Sequence, residues 1–257
     1  MDLSSAVEEF KDNPGAAGFL LDFDGTLSPI VTNPAEAKIL PGGRAILEAL
    51  ASFYSLVAIV SGRRAQEVRE RVGANGLVYV GLYGGEELRS DALIQPGEAP
   101  RFKTAAGKLA EEAQQMIQDE RLDGCAVELK DMAVSLHFRK ASNRAAADVL
   151  LKWARVSGAQ VGFQAGMGRK VVELRPAEFS KAEAAQRLTR KNNLECVFMA
   201  GDDSADVEAM EGLGQMQELT LIRVGLASDE EPVGLREATE LVVGSPAELL
   251  DILKRFL

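Results

Sequence analysis

The run Gly18-Phe19-Leu20-Leu21-Asp22 meets no charged residue until its last position, and Leu56-Val57-Ala58-Ile59-Val60 meets none at all. A strand with one wet face alternates polar and apolar residues, whereas a strand that is apolar throughout has to be covered on both faces. Further strand-like runs occupy residues 77–80, 196–200, 219–224 and 241–243, and amphipathic helical patterns occupy 43–53, 64–72, 181–191 and 246–256. Strand and helix alternate. That order predicts an α/β fold, a doubly wound, Rossmann-like parallel sheet with helices on both sides.

The middle of the chain breaks this order. Residues 104–119 and 144–157 read as helices, and each is followed by a pair of strands, 125–129 with 133–138 and 160–164 with 170–174. Short turns at 130–132 and 165–169 make both pairs antiparallel hairpins. The segment Gln95-Pro96-Gly97-Glu98-Ala99-Pro100 has linker composition. The expected organisation is therefore a core of residues 1–97 and 175–257, with a smaller α/β domain, residues 98–174, inserted into it. In the inserted sheet Val127, Leu129, Val134, Leu136, Phe138, Val161, Phe163, Val172 and Leu174 should face the helices. The other face collects Glu128, Ser135, His137, Arg139, Gln164 and Glu173, with Lys130 at a turn. That face is either a solvated surface or a polar lid over a hydroxyl-rich ligand.

Charge narrows the function classes. The 257 residues carry a formal net charge of -10, which opposes binding to nucleic acid or to an anionic membrane through a general field. An anionic substrate would need local cations. Two cysteines, Cys125 and Cys196, form neither a disulfide framework nor a zinc spacing. The amino-terminal residues lack a signal-peptide pattern and no apolar run reaches membrane-spanning length, so a cytoplasmic protein is expected.

Ligands of an open parallel sheet bind beyond the carboxyl ends of its strands. There the sequence places Asp22 and Asp24 after the first strand, Ser61-Gly62-Arg63 after the second, and Gly201-Asp202-Asp203-Ser204-Ala205-Asp206 after the strand at 196–200. Left bare, these carboxylates repel one another. A hard divalent cation with oxygen ligands relieves the conflict, and Mg²⁺ suits a site where phosphate supplies further oxygens. Ser180-Lys181-Ala182-Glu183 has the spacing of a capping box and starts a helix at Lys181. An ammonium in a first helical turn opposes the helix dipole unless it faces an anion.

Taken together, Asp22-Phe23-Asp24-Gly25-Thr26, Ser61, Lys181 and Gly201-Asp202-Asp203 resemble the four motifs of the haloacid dehalogenase-like phosphohydrolases. Val60-Ser61-Gly62-Arg63, Gly81-Leu82-Tyr83-Gly84-Gly85-Glu86, Leu136-His137-Phe138-Arg139 and Val172-Glu173-Leu174-Arg175-Pro176 extend the resemblance to trehalose-6-phosphate phosphatases, across nearly the whole chain. The resemblance implies Asp22 as nucleophile, Asp24 as general acid and base, and Ser61 and Lys181 as holders of the phosphoryl oxygens. It implies Mg²⁺ held by Asp22, the Asp24 backbone carbonyl and Asp202, with Asp203 and Asp206 around them. It implies Glu128, Lys130 and Glu173 as sugar contacts, with Arg63 and Glu86 as further contributors. A small-molecule sugar phosphate is the implied partner, with functional pairing to a glycosyl-phosphate synthase.

Two departures bear on the substrate. Where the family's fourth motif continues with Thr-Asp-Glu, this chain has Ala205-Asp206-Val207, and Ser180-Lys181-Ala182 replaces Ser-Lys-Gly. The competing readings are a phosphatase of another glycosyl phosphate (sucrose phosphate, glucosylglycerol phosphate or mannosylphosphoglycerate), a sugar phosphomutase, and a non-catalytic sugar-phosphate sensor.

Overall fold

The computed structural model describes residues 3–31, 33–141, 145–168 and 170–257. It divides into two compact units, Met1–Ile94 with Ser180–Leu257, and Gln95–Phe179. The first unit begins with α1 (Leu3–Asp12), β1 (Ala17–Leu21), α2 (Gly43–Phe53), β2 (Leu56–Val60), α3 (Ala65–Val72) and β3 (Val78–Gly81), followed by a hairpin of β4 (Glu86–Arg89) and β5 (Ala92–Ile94). The second unit contains α4 (Ala99–Asp119), β6 (Ala126–Lys130), β7 (Ala133–His137), α5 (Ala146–Gln160), β8 (Phe163–Gly168) and β9 (Val171–Pro176). The chain then completes the first unit with α6 (Lys181–Lys191), β10 (Cys196–Gly201), α7 (Ser204–Gly214), β11 (Thr220–Leu226), α8 (Leu235–Ala238), β12 (Leu241–Val243) and α9 (Pro246–Lys254).

Among the described residues the large sheet runs β12-β11-β10-β1-β2-β3-β4-β5. It is parallel from β12 to β3, and the β4–β5 hairpin adds two antiparallel strands at one edge. The apolar strands are buried on both faces, as their lack of alternation requires. Phe19, Leu21, Val57, Ile59 and Phe198 join one core with Phe10, Leu47 and Phe256, while Leu20, Ala58, Val60, Val197 and Met199 join the other with Leu188, Met210 and Leu213. Phe19 meets the rings of Phe10, Tyr54, Phe198 and Phe256 at centroid distances of 5.0–5.6 Å, tying α1 and the C-terminal segment to the central strand.

The second unit has its own antiparallel sheet, β6-β7-β9-β8. Its helical face buries Val134, Leu136, Phe163, Val172 and Leu174. Leu129 and Val161 differ from expectation. Leu129 is exposed near the end of the edge strand β6, and Val161 follows α5 outside any strand. Phe138 and Arg139 lie beyond the end of β7. Strand β8 starts later than the sequence suggests and runs through Gly166 and Gly168, which had the look of a turn. As an edge strand bonded to β9 alone, it tolerates glycines that a central strand would not. Helix α4 starts five residues before the expected position, because Pro100 sits in its first turn, where a missing N–H does no harm. Residues 175–179 group with the second unit since β9 continues to Pro176, with Arg175 opposite Gln164. Arg144, at the start of the expected second helix, and Arg169, in the expected turn, lie outside the described residues. No helix among the described residues is long and apolar enough to cross a membrane.

Candidate active site

From β1 the chain winds outward through β2 and β3, and later returns on the other side through β10, β11 and β12. The order therefore reverses between β1 and β10, and a crevice opens at the carboxyl ends of those strands. Asp22 and Asp202 follow those ends directly. The Asp22 amide donates to Ala200 O at 3.0 Å, which fixes the buried Asp22 beside β10. The chain then folds back sharply: the amides of Leu27 and Ser28 donate to Phe23 O, and Gly25 N donates to Ser28 O. Gly25 has φ +86°, and a Cβ there would lie 2.1 Å from Asp202 Oδ2. Only glycine permits both the left-handed backbone and the close approach of the two acidic loops.

Lys181 is the first residue of α6, whose N-cap Ser180 accepts from Glu183 N at 3.0 Å. Its side chain is 1% exposed, and Nζ donates to Asp22 Oδ1 at 2.8 Å, Asp206 Oδ1 at 2.8 Å and Asp203 Oδ2 at 3.3 Å. These anions explain the ammonium at a helix start. Burial opposes its charge, but Asp203, Asp206 and Asp22 together raise Lys181 well above the ordinary lysine range. Burial pushes Asp22 up to about 6, helped by the charges of Asp203 and Asp24 and opposed by Lys181. Asp206 is likewise raised, first by burial and then by Asp203.

The loop after β10 is held by a reciprocal cap on α7. Asp203 Oδ1 accepts from Asp206 N at 2.9 Å, while Asp206 Oδ2 accepts from the amides of Asp202 and Asp203 at 3.0 and 3.2 Å. A Cβ on Gly201 would collide with Asp206 Cγ at 2.2 Å. Asp206 is thus spent on Lys181 and on the loop that presents Asp202. Carboxylate oxygens of Asp22, Asp202 and Asp206 lie within 4.8 Å of one another, an all-oxygen set that fits a hard cation. Asp22, Asp203 and Asp206 share the one ammonium of Lys181, so these groups carry excess negative charge that such an ion would neutralise. The Asp24 carboxylate is turned elsewhere. Thr26, which sequence reasoning passed over, is fully buried and its Oγ1 lies 3.4 Å from Asp202 Oδ1.

Ser61, at the end of β2, is buried, and its Oγ accepts from Arg63 N at 3.2 Å. Arg63 and Glu86, expected as contributors to substrate binding, are both engaged with groups of the protein. The Arg63 guanidinium binds Asp24 through Nε at 2.6 Å and Nη2 at 2.8 Å, and it also pairs with Glu67. Glu86 is 1% exposed; Oε2 accepts from Ala65 N at 2.9 Å and Oε1 from the Arg64 guanidinium. It therefore caps α3 from a neighbouring strand, a partnership 21 residues apart that no local pattern announces.

On the polar face of the second unit, Glu128, Ser135 and Glu173 stand side by side across β6, β7 and β9. Glu173 Oε1 accepts from Ser135 Oγ at 3.0 Å and Lys130 Nζ at 3.2 Å, whereas its buried Oε2 has no hydrogen-bond partner among the described residues. Glu128 Oε2 lies 2.8 Å from His137 Nε2. Gly166 is opposite Glu173, and a Cβ there would meet nothing within 4 Å. The face is a ready-made set of hydroxyl donors and acceptors with open space beside it.

The chain is 30% identical over 243 residues to a trehalose-phosphate phosphatase of Mycobacterium marinum, an alignment covering 91% of this chain and 60% of that protein. It is 35% identical over 202 residues to an uncharacterised glycosyl hydrolase of Mycobacterium tuberculosis, covering 75% of this chain and 15% of the relative. The chain thus spans only part of the curated relatives it matches. The C-terminal domain of the Candida albicans trehalose-6-phosphate phosphatase has the same fold, with a TM-score of 0.83 at 19% identity over 100% of this chain and 96% of that one. The sequence profile of the trehalose-phosphatase family matches residues 20–230, and the chain belongs to that family.

Proposed function

We propose that this protein hydrolyses trehalose 6-phosphate to trehalose and inorganic phosphate through an aspartyl phosphate on Asp22. The observation that carries the proposal is the placement of Asp22, buried at the switch point of the sheet and 2.8 Å from Lys181 Nζ. An Asp22 oxygen attacks phosphorus as the bond from phosphorus to the sugar oxygen breaks. Asp24 donates a proton to that departing oxygen, then takes one from the water that attacks the phosphoenzyme, so phosphate leaves and both carboxyls return to their starting states. Lys181 and Ser61 hold the phosphoryl oxygens, Lys181 with a charge its carboxylate neighbours keep permanent.

Asp22, Asp202 and the Asp24 backbone carbonyl are the proposed ligands of Mg²⁺. When bound, the ion supplies positive charge against the phosphoryl oxygens and screens Asp22 from its anionic substrate. Asp203 and Asp206 keep the Asp202 loop and Lys181 in place. Glu128, Lys130 and Glu173 take the sugar hydroxyls, and the unpartnered Glu173 oxygen is the acceptor with unused capacity. A glycosyl-phosphate synthase supplies the substrate.

The test is phosphate release across a panel of sugar phosphates with Mg²⁺, combined with acid quenching of enzyme mixed with ³²P-labelled substrate. Label on the wild-type chain but not on Asp22→Asn is expected. Rapid turnover by a folded Asp22→Asn protein would sink the covalent route. Activity confined to another glycosyl phosphate would keep the chemistry and move the substrate, and an isomerised sugar phosphate without free phosphate would make the enzyme a mutase.

A further inference from the structure

Asp24 is 45% exposed at its side chain, yet its carboxylate is gripped by a guanidinium that is only 12% exposed. The grip is bidentate, Nε to Oδ2 at 2.6 Å and Nη2 to Oδ1 at 2.8 Å. Arg63 is itself fixed from behind. Its Nη1 donates to Glu67, Nη2 also donates to Pro34 O at 2.9 Å, and its guanidinium carbon lies 5.8 Å from the centre of the Phe23 ring. Glu67 is in turn held by Arg71 Nε at 2.9 Å, and Arg71 donates to Ala35 O and Ala37 O at 2.9 and 3.0 Å.

All three guanidinium nitrogens of Arg63 are therefore engaged before any substrate arrives. Four of its five N–H donors, including the whole Nε–Nη2 edge, are committed to Asp24, Glu67 and Pro34 O, which leaves one Nη1 hydrogen for any other partner. We infer that Arg63, anchored by Glu67 and the backbone at Pro34, is a positioning residue whose main task is to set the orientation of the Asp24 carboxyl at the crevice. A planar fork is needed for that task, because an ammonium cannot fix both oxygens of a carboxylate at once. The inference rests on the reading of Asp24 as the group that protonates the leaving oxygen. A carboxyl on an exposed loop reaches that oxygen reliably only if its rotamer is fixed, and a displacement of about 1 Å can lower a rate roughly 100-fold.

Leaving-group dependence separates the possibilities. Trehalose 6-phosphate expels an alkoxide-like oxygen that needs a proton, whereas p-nitrophenyl phosphate expels a stabilised phenolate that does not. Asp24→Asn, Arg63→Met, Arg63→Lys and Glu67→Gln would be assayed on both, with the pre-steady-state burst of nitrophenolate reporting the first step. Asp24→Asn should lower kcat on trehalose 6-phosphate by about 100-fold or more while leaving the burst rate nearly intact. Both Arg63 variants should show the same selectivity at about 10- to 100-fold, with KM changed little, and Glu67→Gln should show it more weakly. A raised KM with unchanged kcat, a nitrophenolate burst slowed as much as turnover of trehalose 6-phosphate, or full rescue by Arg63→Lys would overturn the inference.

If Asp24→Asn itself shows no leaving-group preference, the reading of Asp24 fails rather than the role of Arg63. A crystal structure of Arg63→Met then decides separately: an Asp24 carboxyl in its present orientation overturns the positioning role, and a displaced or disordered one upholds it.

Discussion

Asp22→Asn should make the metal-free protein more stable while abolishing turnover. Asp22 is 4% exposed, and burial raises it from 3.8 to about 6. At about 1.4 kcal/mol per pH unit, ionising Asp22 in the metal-free fold costs about 3 kcal/mol. An acid whose folded value is raised binds its proton more tightly in the folded state, so stability falls as pH climbs from 3.8 towards 6 and the penalty is complete above that window. Asparagine has the shape of the neutral acid and carries no charge to desolvate. In EDTA at about pH 7.5 the variant should therefore exceed the wild type by about 3 kcal/mol, or roughly 5–10 °C in Tm for a chain of this size. In urea unfolding followed across pH, the gap should shrink as pH falls from about 6 to 3.8 and vanish below that window, where Asp22 is neutral in both states. Mg²⁺ should close it from the other side, because an ion that binds only the folded wild type adds about 2.7 kcal/mol at 100 times its Kd. A variant no more stable than the wild type at neutral pH, or a gap that persists unchanged in acid, would refute the account of Asp22 as a destabilised carboxylate.

Lys181→Met should be severely destabilising, about 3–5 kcal/mol in urea unfolding, because it strips the shared counter-charge from buried carboxylates; a loss below about 1 kcal/mol would contradict the buried pairing. Gly25→Ala should retain its circular dichroism spectrum yet lose at least about 100-fold in kcat and bind Mg²⁺ weakly in a calorimetric titration, since its Cβ would displace Asp202. Glu86→Ala should lower stability by about 0.5–2 kcal/mol through loss of the α3 cap, with KM for the sugar phosphate changed little. A large rise in KM at unchanged stability would return Glu86 to the substrate contacts. Glu173→Ala should raise KM for trehalose 6-phosphate far more than for p-nitrophenyl phosphate, and equal effects would remove Glu173 from the sugar site.

What the sequence made legible was what local chemistry specifies. The unbroken apolar runs at Phe19–Leu21 and Val57–Val60 required a sheet covered on both faces, and the carboxylates that end β1 and follow β10 had to lie beyond its strand ends. Lys181 was legible because a lysine at N1 behind a serine cap needs an anion. The β4–β5 hairpin and α7 gave weak local signals: β5 is short and exposed, and α7 is a short helix diluted by alanines at 205 and 209 and glycines at 212 and 214. The partnerships of Glu86 with Ala65 N and of Arg63 with Asp24 were not legible because the partners come from other elements. One signal was available. Arg63, Glu67 and Arg71 recur at i, i+4 and i+8 with alternating sign, which marks a charge ladder from just before α3 to its last turn.

The same distinction bears on the altered fourth motif. The loop that presents Asp202 is specified by Gly201, which alone admits Asp206 beside it, and by the reciprocal cap between Asp203 and Asp206. Ala205 and Val207 take no part in that hydrogen bonding, and Val207 is turned into the core against Gly234. The hydrogen bonds that hold Asp202 and Lys181 are therefore independent of the side chains at 205 and 207, two of the three positions, with Ala182, at which this chain departs from the motifs it resembles. Ala205→Thr should therefore leave phosphoenzyme formation on Asp22 in place, whereas Val207→Glu, which puts a carboxylate into the core that Val207 shares with Met210, Leu213 and Leu235, should lower stability in urea unfolding by about 1–3 kcal/mol or more; a Val207→Glu protein as stable as the wild type would contradict this burial.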